Sequence, residues 1–247
     1  ERRAVEVAGG LEDVGVGGEP VAERADGDEG FGHGGLTGAT VRWTSAELVG
    51  ESAAIVTADV FYDEPSDEPS GQLWRVDTEE RRALDTGIFL VDGLARIDEE
   101  LFVVGRNGGQ NMQLGAALQE DPGELALARS SDEGETWTTV TADVDLPDDT
   151  IAVHLAAGDG FLVVQIETWS EDVLLTFEPS DLTTPVSTHQ GPSNPWGVMG
   201  ATGGVLNEAG TDEWTTEWTS DGRTWTTVAG PERGPVLGVP EGGPVFL

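Results

Sequence analysis

The chain has 247 residues, 37% of them hydrophobic, with 12 basic and 47 acidic side chains giving a net charge of −35 at pH 7. That charge disfavours nucleic acid and anionic lipid as partners. The absence of cysteine excludes a disulfide framework and a Cys-based zinc site. No stretch approaches the roughly 18 apolar residues of a membrane helix, so no membrane insertion is expected.

All the basic residues are arginine. The acidity reads as solubility, in a salt-rich setting or from a lysine-poor genome, with a cation-attracting surface as the alternative. A cysteine-free chain that starts at Glu1 without Met is expected to be a mature or trimmed product, in the extracellular space or the cell envelope.

In chain order, residues 1–35 carry little pattern. They are expected to be weakly ordered, or to lend a strand near Ala4–Ala8 that completes a later sheet. From about residue 36 onward, short apolar runs alternate with polar turns. The runs are AAIVTADV around Ile55, ELFVVG around Val103, GFLVVQI around Val163, GGVLNEAG around Leu206 and GPVFL at Phe246. Each is four to eight residues long, rich in Val, Ile, Leu and Phe, and bounded by Gly or acidic residues, which are strand signals. Turns follow at Asp77 (LWRVDTEERRAL), Asp132 (RSSDEGETW), Asp181 (FEPSDLTTPV) and Asp221 (WTSDGRTW).

Two inserts fall between second and third strands: acidic, Pro-containing Tyr62–Gln72, and a stretch inside 107–124. MQLGAALQEDPGELALA, Met112–Ala128, is the longest helix-compatible string and is broken by Pro122 and Gly123. The unit at 151–189 reads as inner strand IAVHLAAG, then FLVVQIETW, DVLLTFEPSD and outer strand TTPVST. The next reads WGVMGAT, GVLNEAG, EWTTEWTSDG and RTWTTVA.

A unit of about 40–60 residues with four short strands is the signature of a β-propeller blade. The expected fold is therefore an all-β propeller of about five four-stranded blades, some partial. Approximate boundaries are 36–86, 87–143, 144–190, 191–230 and a partial blade at 231–247. The abrupt end at Leu247 would also suit a module of a longer surface protein.

Ser130-Ser131-Asp132-Glu133-Gly134-Glu135-Thr136-Trp137 fits the pattern Ser-x-Asp-x-Gly-x-Thr-Trp, and Thr219-Ser220-Asp221-Gly222-Arg223-Thr224-Trp225 is a form one residue shorter. On these two turns the chain resembles the sialidase-like (BNR, or Asp-box) β-propellers over about residues 40–247. The resemblance implies that Ser130, Asp132, Gly134, Thr136 and Trp137, with Thr219, Asp221, Gly222, Thr224 and Trp225, are structural. They would form hairpins between third and fourth strands at the blade periphery. The residue types agree: Asp, Ser and Thr side chains satisfy turn N–H groups, Gly allows positive φ, and Trp is a large apolar plug.

A sialidase also needs three arginines to clamp a carboxylate, a Tyr nucleophile assisted by Glu, and an Asp acid/base. Its first arginine usually lies in Arg-Ile-Pro. Here Arg96-Ile97-Asp98 and Arg233-Gly234-Pro235 do not fit, and the single tyrosine, Tyr62, comes early rather than late. The resemblance is to the repeat, and the enzyme's residues do not carry over.

Other glycosidases use two carboxylates. Asp92, Asp98, Asp159 and Glu167 are candidates at blade-top loops. For Ca²⁺, Asp143, Asp145, Asp148 and Asp149 crowd together, as do Asp26, Asp28 and Glu29, though neither string is a full binding loop. Of the scattered histidines His33, His154 and His189, His154 is expected to be packed or to line the channel. Trp169 and Trp196 are candidates for stacking on sugars, with core packing as the alternative.

The functional expectation is a non-catalytic binding or scaffold propeller, for carbohydrate or protein at the central funnel or on the inserts. It would be a monomer or a module of a larger chain. The alternatives are a glycoside hydrolase with funnel carboxylates and a purely structural module.

Overall fold

Apolar runs such as ELFVVG contain too many consecutive hydrophobic residues for a strand with one wet face, and the structure shows where both faces go. This computed structural model describes residues 39–50, 52–62, 69–77, 80–108, 122–169, 171–192, 197–201, 203–209 and 215–228, all within the unit Ala39–Leu247. Among them there is no helix, and the strands form four four-stranded antiparallel sheets, consistent with a propeller-like fold.

The first sheet contains β1 (Ala39–Val49), β2 (Ala53–Tyr62), β3 (Gly71–Val76) and β4 (Arg81–Leu84). The second contains β5 (Leu90–Ile97), β6 (Glu100–Asn107), β7 (Glu124–Ser130) and β8 (Thr138–Thr141). The third contains β9 (Thr150–Ala157), β10 (Leu162–Thr168), β11 (Glu171–Phe177) and β12 (Ser187–Pro192). The fourth contains β13 (Met199–Ala201), β14 (Gly204–Ala209), β15 (Thr215–Thr219) and β16 (Thr226–Val228). Each sheet is a meander in sequence order. The first strands lie side by side, β1 against β5, β5 against β9 and β9 against β13.

Side chains alternate between the faces of a strand, and the alternation assigns each residue to one inter-sheet core. In β6, Leu101 and Val103 join the apolar cluster shared with Val49, Ile55 and Leu73 of the first sheet. Phe102 and Val104 point the other way, into the cluster shared with Val153, Leu162, Val164 and Phe177 of the third sheet. In β10, Val163 faces the fourth sheet's Val198 and Val205. The middle sheets are therefore buried on both faces, which is why their strands read as unbroken apolar runs. A buried Val, Leu or Phe contributes about 1.5–3 kcal/mol by leaving water.

In the second, third and fourth sheets the turn between third and fourth strands packs against the sheet before it. In the β7–β8 turn, Ser130 Oγ accepts from Gly134 N at 2.9 Å. Asp132 accepts from Thr136 N at 2.8 Å and Thr136 Oγ1 at 2.6 Å, and Trp137 Nε1 donates to Gly134 O at 3.1 Å. Gly134 has φ 83°, and a Cβ there would lie 3.0 Å from Ile55 Cδ1 of β2. Trp137 packs on the cluster between the first and second sheets. Arg75 and Arg82 of the first sheet bind Glu135 at 2.6 and 3.0 Å.

The β15–β16 turn repeats this arrangement against the third sheet. Asp221 accepts from Arg223 N at 2.8 Å and Thr224 N at 2.7 Å, Thr176 Oγ1 donates to Gly222 O, and Trp225 packs on the neighbouring cluster. The other two turns keep only the Asp. Asp77 Oδ1 accepts from Glu80 N at 2.7 Å and Asp181 Oδ1 from Thr183 N at 3.0 Å, while Leu182, beside Asp181, is buried in the core between the second and third sheets.

Two expectations are corrected. Glu124–Ala128, the end of the helix-compatible string, is strand β7: Leu125 and Leu127 feed one core and Ala126 and Ala128 the other, so tertiary burial overrides helix propensity. The rest of that string, 112–121, lies outside the described residues. The outer strand of the third sheet begins at Ser187 rather than Thr183, because Asp181–Thr183 is held as a turn and Val186 N first bonds Thr176 O at 2.8 Å. Four sheets stand where about five blades were expected; residues 1–38 and 229–247 lie outside the described residues.

Gly134→Ala should cost about 1–2 kcal/mol in denaturant unfolding, the ordinary penalty for an L side chain in the left-handed region. The hydrogen bonds from Thr136 and Ser130 lower the Asp132 pKa to about 2. A depressed carboxylate pKa stabilises the fold above the unfolded pKa of about 4 and stops doing so as pH falls through the folded value. The difference in melting temperature between wild type and Asp132→Asn should therefore be full at neutral pH and shrink steadily as pH is lowered from 4 to 2.

Candidate functional site

A meander places the first–second and third–fourth strand turns at one end of each sheet. The second–third turns and the links between sheets lie at the other. The four candidate carboxylates, expected together at blade tops, divide between these ends. Asp92, near the start of β5, and Glu167, near the end of β10, belong to the link end. Asp98 and Asp159, just past the ends of β5 and β9, belong to the turn end. Position along the strand decides this, and that depends on register.

At the link end Asp92 falls where the β5–β6 register shifts between Val91 and Gly93, an irregularity that re-aims a side chain. Its Oδ2 lies 3.2 Å from Nε of Arg106, whose side chain is 3% exposed. Burial raises the Asp92 pKa, with Arg106 and His154 opposing and Asp59 adding to the rise. His154 of β9 is half-buried, with Nε2 3.1 Å from Oε2 of Glu167. Buried Asp172 accepts from Gln165 Nε2 at 2.5 Å and from Thr168 N at 3.2 Å. Asp92 and Glu167 at this end thus each face a basic side chain, while Asp172 is held by neutral donors. Trp169, in the β10–β11 turn, is 69% exposed and Phe89, just before β5, is 41% exposed. Trp196 lies outside the described residues, as do His33, Asp26, Asp28 and Glu29.

At the turn end a cleft of about 720 Å³ opens along the first strands. Glu47 of β1, Leu94, Ala95 and Arg96 of β5, Leu155–Ala157 of β9, Gly158 and Asp159 of the following turn, and Gly200 and Gly203 of the fourth sheet line it. The small residues leave the space, and three charged side chains mark it. Arg96 Nη1 donates to Leu48 O, and its Nε donates at 2.8 Å to the carbonyl of Asp98, a residue with φ 53°. Burial raises the Glu47 pKa, and the Arg96 charge opposes the rise. A concave site with convergent polar groups and a perturbed carboxyl is the usual form of a ligand site. Sequence reasoning missed Glu47. Its only signal is that it stands near the end of β1 as Arg96 stands near the end of β5, which is visible once both strands are placed.

The acidic string does not gather around a cation: among the described residues no three His, Asp or Glu side chains are placed to hold a metal ion. Asp143 N instead bonds Thr183 O at 2.7 Å and Leu146 is buried in the core, so the segment is spent on packing. His189 stacks on Trp225, with centroids 5.2 Å apart and rings 9° from parallel, and its Nε2 is 3.1 Å from Glu217 Oε2.

Asp92→Ala would take away the carboxylate that faces nearly buried Arg106. It should cost about 3 kcal/mol in equilibrium unfolding, as breaking a buried pair does. A loss under about 1 kcal/mol would show that the pair is a surface contact.

No protein-family model matches the chain, and no curated protein matches it. Among solved structures it is similar to Trypanosoma rangeli sialidase in complex with the inhibitor DANA, at 15% identity and TM-score 0.46, over 75% of this chain and 37% of that one. It is also similar to a mutant of Trypanosoma rangeli sialidase displaying trans-sialidase activity, at 12% identity and TM-score 0.41, again over 75% of this chain and 37% of that one. The chain thus spans little more than a third of the length of these two sialidase chains.

Proposed function

We propose that the chain is a sialidase-like, Asp-box β-propeller module that binds a small ligand without transforming it, outside the cytoplasm, with the ligand seated in the cleft at the turn end. One observation carries this: the cleft of about 720 Å³ has the size and the few convergent polar groups of a ligand site. The charged groups at the link end support the non-catalytic part. Arg106 is nearly buried against Asp92 and Glu167 is paired with His154, so these charged groups are engaged within the protein. The net charge of −35 suits an exported, highly solvated protein. The resemblance to sialidase-like propellers makes carbohydrate the first ligand class to test.

Binding of an oligosaccharide panel, measured by calorimetry, tests the site. Glu47→Ala should weaken binding at least tenfold, while Trp169→Ala and Asp132→Ala should leave it within twofold. Loss with Trp169→Ala and not with Glu47→Ala would move the site to the link end.

A second reading, a glycoside hydrolase, draws on the raised Asp92 pKa at a strand irregularity, with Glu167 on a neighbouring sheet. A carboxyl whose pKa burial raises is the pattern of a general acid. Aryl glycosides, a sialoside included, should show no turnover above buffer. Turnover that disappears in both Asp92→Asn and Glu167→Gln would establish the hydrolase instead.

A further inference from the structure

The cleft's charges are unequal in number and in freedom. Among the described residues, Glu47 and Asp159 contribute two carboxylates and Arg96 one guanidinium. Two backbone carbonyls, of Leu48 and Asp98, hold that guanidinium in place from within the chain. Glu47 sits half-buried, where a charge is weakly screened, and Asp159 stands exposed at the mouth. The walls between them are Leu94, Ala95, Leu155 and Ala156, which offer no compensating cation. Around the whole lies a protein of net charge −35, whose field gathers cations and repels anions.

We infer that this cleft selects small molecules carrying one protonated amine, amino sugars among carbohydrates, and rejects those carrying a carboxylate. The inference rests on the cleft being the ligand site, and it names the charge of the ligand. An ammonium at Glu47 would complete the local charge balance, Asp159 would add to the attraction from the mouth, and the apolar walls would take the rest of the molecule. A ligand carboxylate would meet two like charges and an arginine already engaged. The same geometry makes binding depend on pH. Burial raises the Glu47 pKa, and the ionised form is the one that attracts an amine. Amine affinity is therefore lost as pH falls through the raised pKa of Glu47 and is full above it.

Glucosamine, N-acetylglucosamine and glucuronate share one ring and differ in charge, so they separate the possibilities when titrated by ligand-observed NMR and calorimetry. The expected result is glucosamine at least tenfold tighter than N-acetylglucosamine, glucuronate weaker than both, and the glucosamine preference reduced by salt and by acid. Glu47→Gln should bring glucosamine down to the level of N-acetylglucosamine measured in the same variant and flatten the pH dependence. Because the substitution removes a carboxylate that burial disfavours, its melting temperature at neutral pH should equal or exceed wild type, which confirms folding. Equal binding of all three sugars, lost in Glu47→Ala, would overturn the charge selection and leave the cleft as the ligand site. A glucosamine preference that survives in Glu47→Gln would mean attraction by the surface at large and overturn it too. No binding of any of the three would overturn both readings.

Discussion

Face-to-face burial of neighbouring sheets is the constraint on which everything else depends. Leu101 and Val103 go one way and Phe102 and Val104 the other, all at 0–1% exposure. A strand built like that cannot fold with one face in water. Each middle sheet must be covered twice, and the meander covers it with the sheet before and the sheet after. The first strands come to lie side by side as a result, and the cleft exists because small residues line that row.

Stacking alone leaves the sheets free to slide, because apolar contact has no direction. The Asp turns supply the direction. The Ser130–Trp137 turn fixes itself through Asp132 and Ser130, then places Gly134 on Ile55, Trp137 in the shared core and Glu135 between Arg75 and Arg82 of the preceding sheet. The exposed ion pairs add little energy, but together with the indole they set one register between two sheets. Where the Trp is missing, at Asp181, Leu182 fills the core and the outer strand starts later. The Ser130–Trp137 turn thus joins the second sheet to the first.

The two ends of the row of first strands differ in how their charges are used. At the link end Asp92 pairs with Arg106 and Glu167 with His154. At the turn end Arg96 meets backbone carbonyls, and two carboxylates border open space. Both ends contain a carboxyl whose pKa is raised by burial, so that feature by itself does not distinguish them. Open volume and an incomplete local balance of charge do.

The sequence by itself determined the all-β class, the strand-and-turn alternation and the positions of the turns at Asp132 and Asp221. These follow from local rules: β-branched runs, turn hydrogen bonding and the φ that glycine permits. It also showed that Asp92, Glu167 and His154 were worth following, without showing which end of a sheet each would reach. Only the tertiary structure decided that Asp92 and Asp98, six residues apart on one strand, face opposite ends. It alone turned Glu124–Ala128 into a strand and brought Glu47 to the same cleft as Arg96 and Asp159. Those outcomes depend on register and on which sheet lies next to which. Both are set by contacts between residues far apart in the chain, and local periodicity holds no record of them.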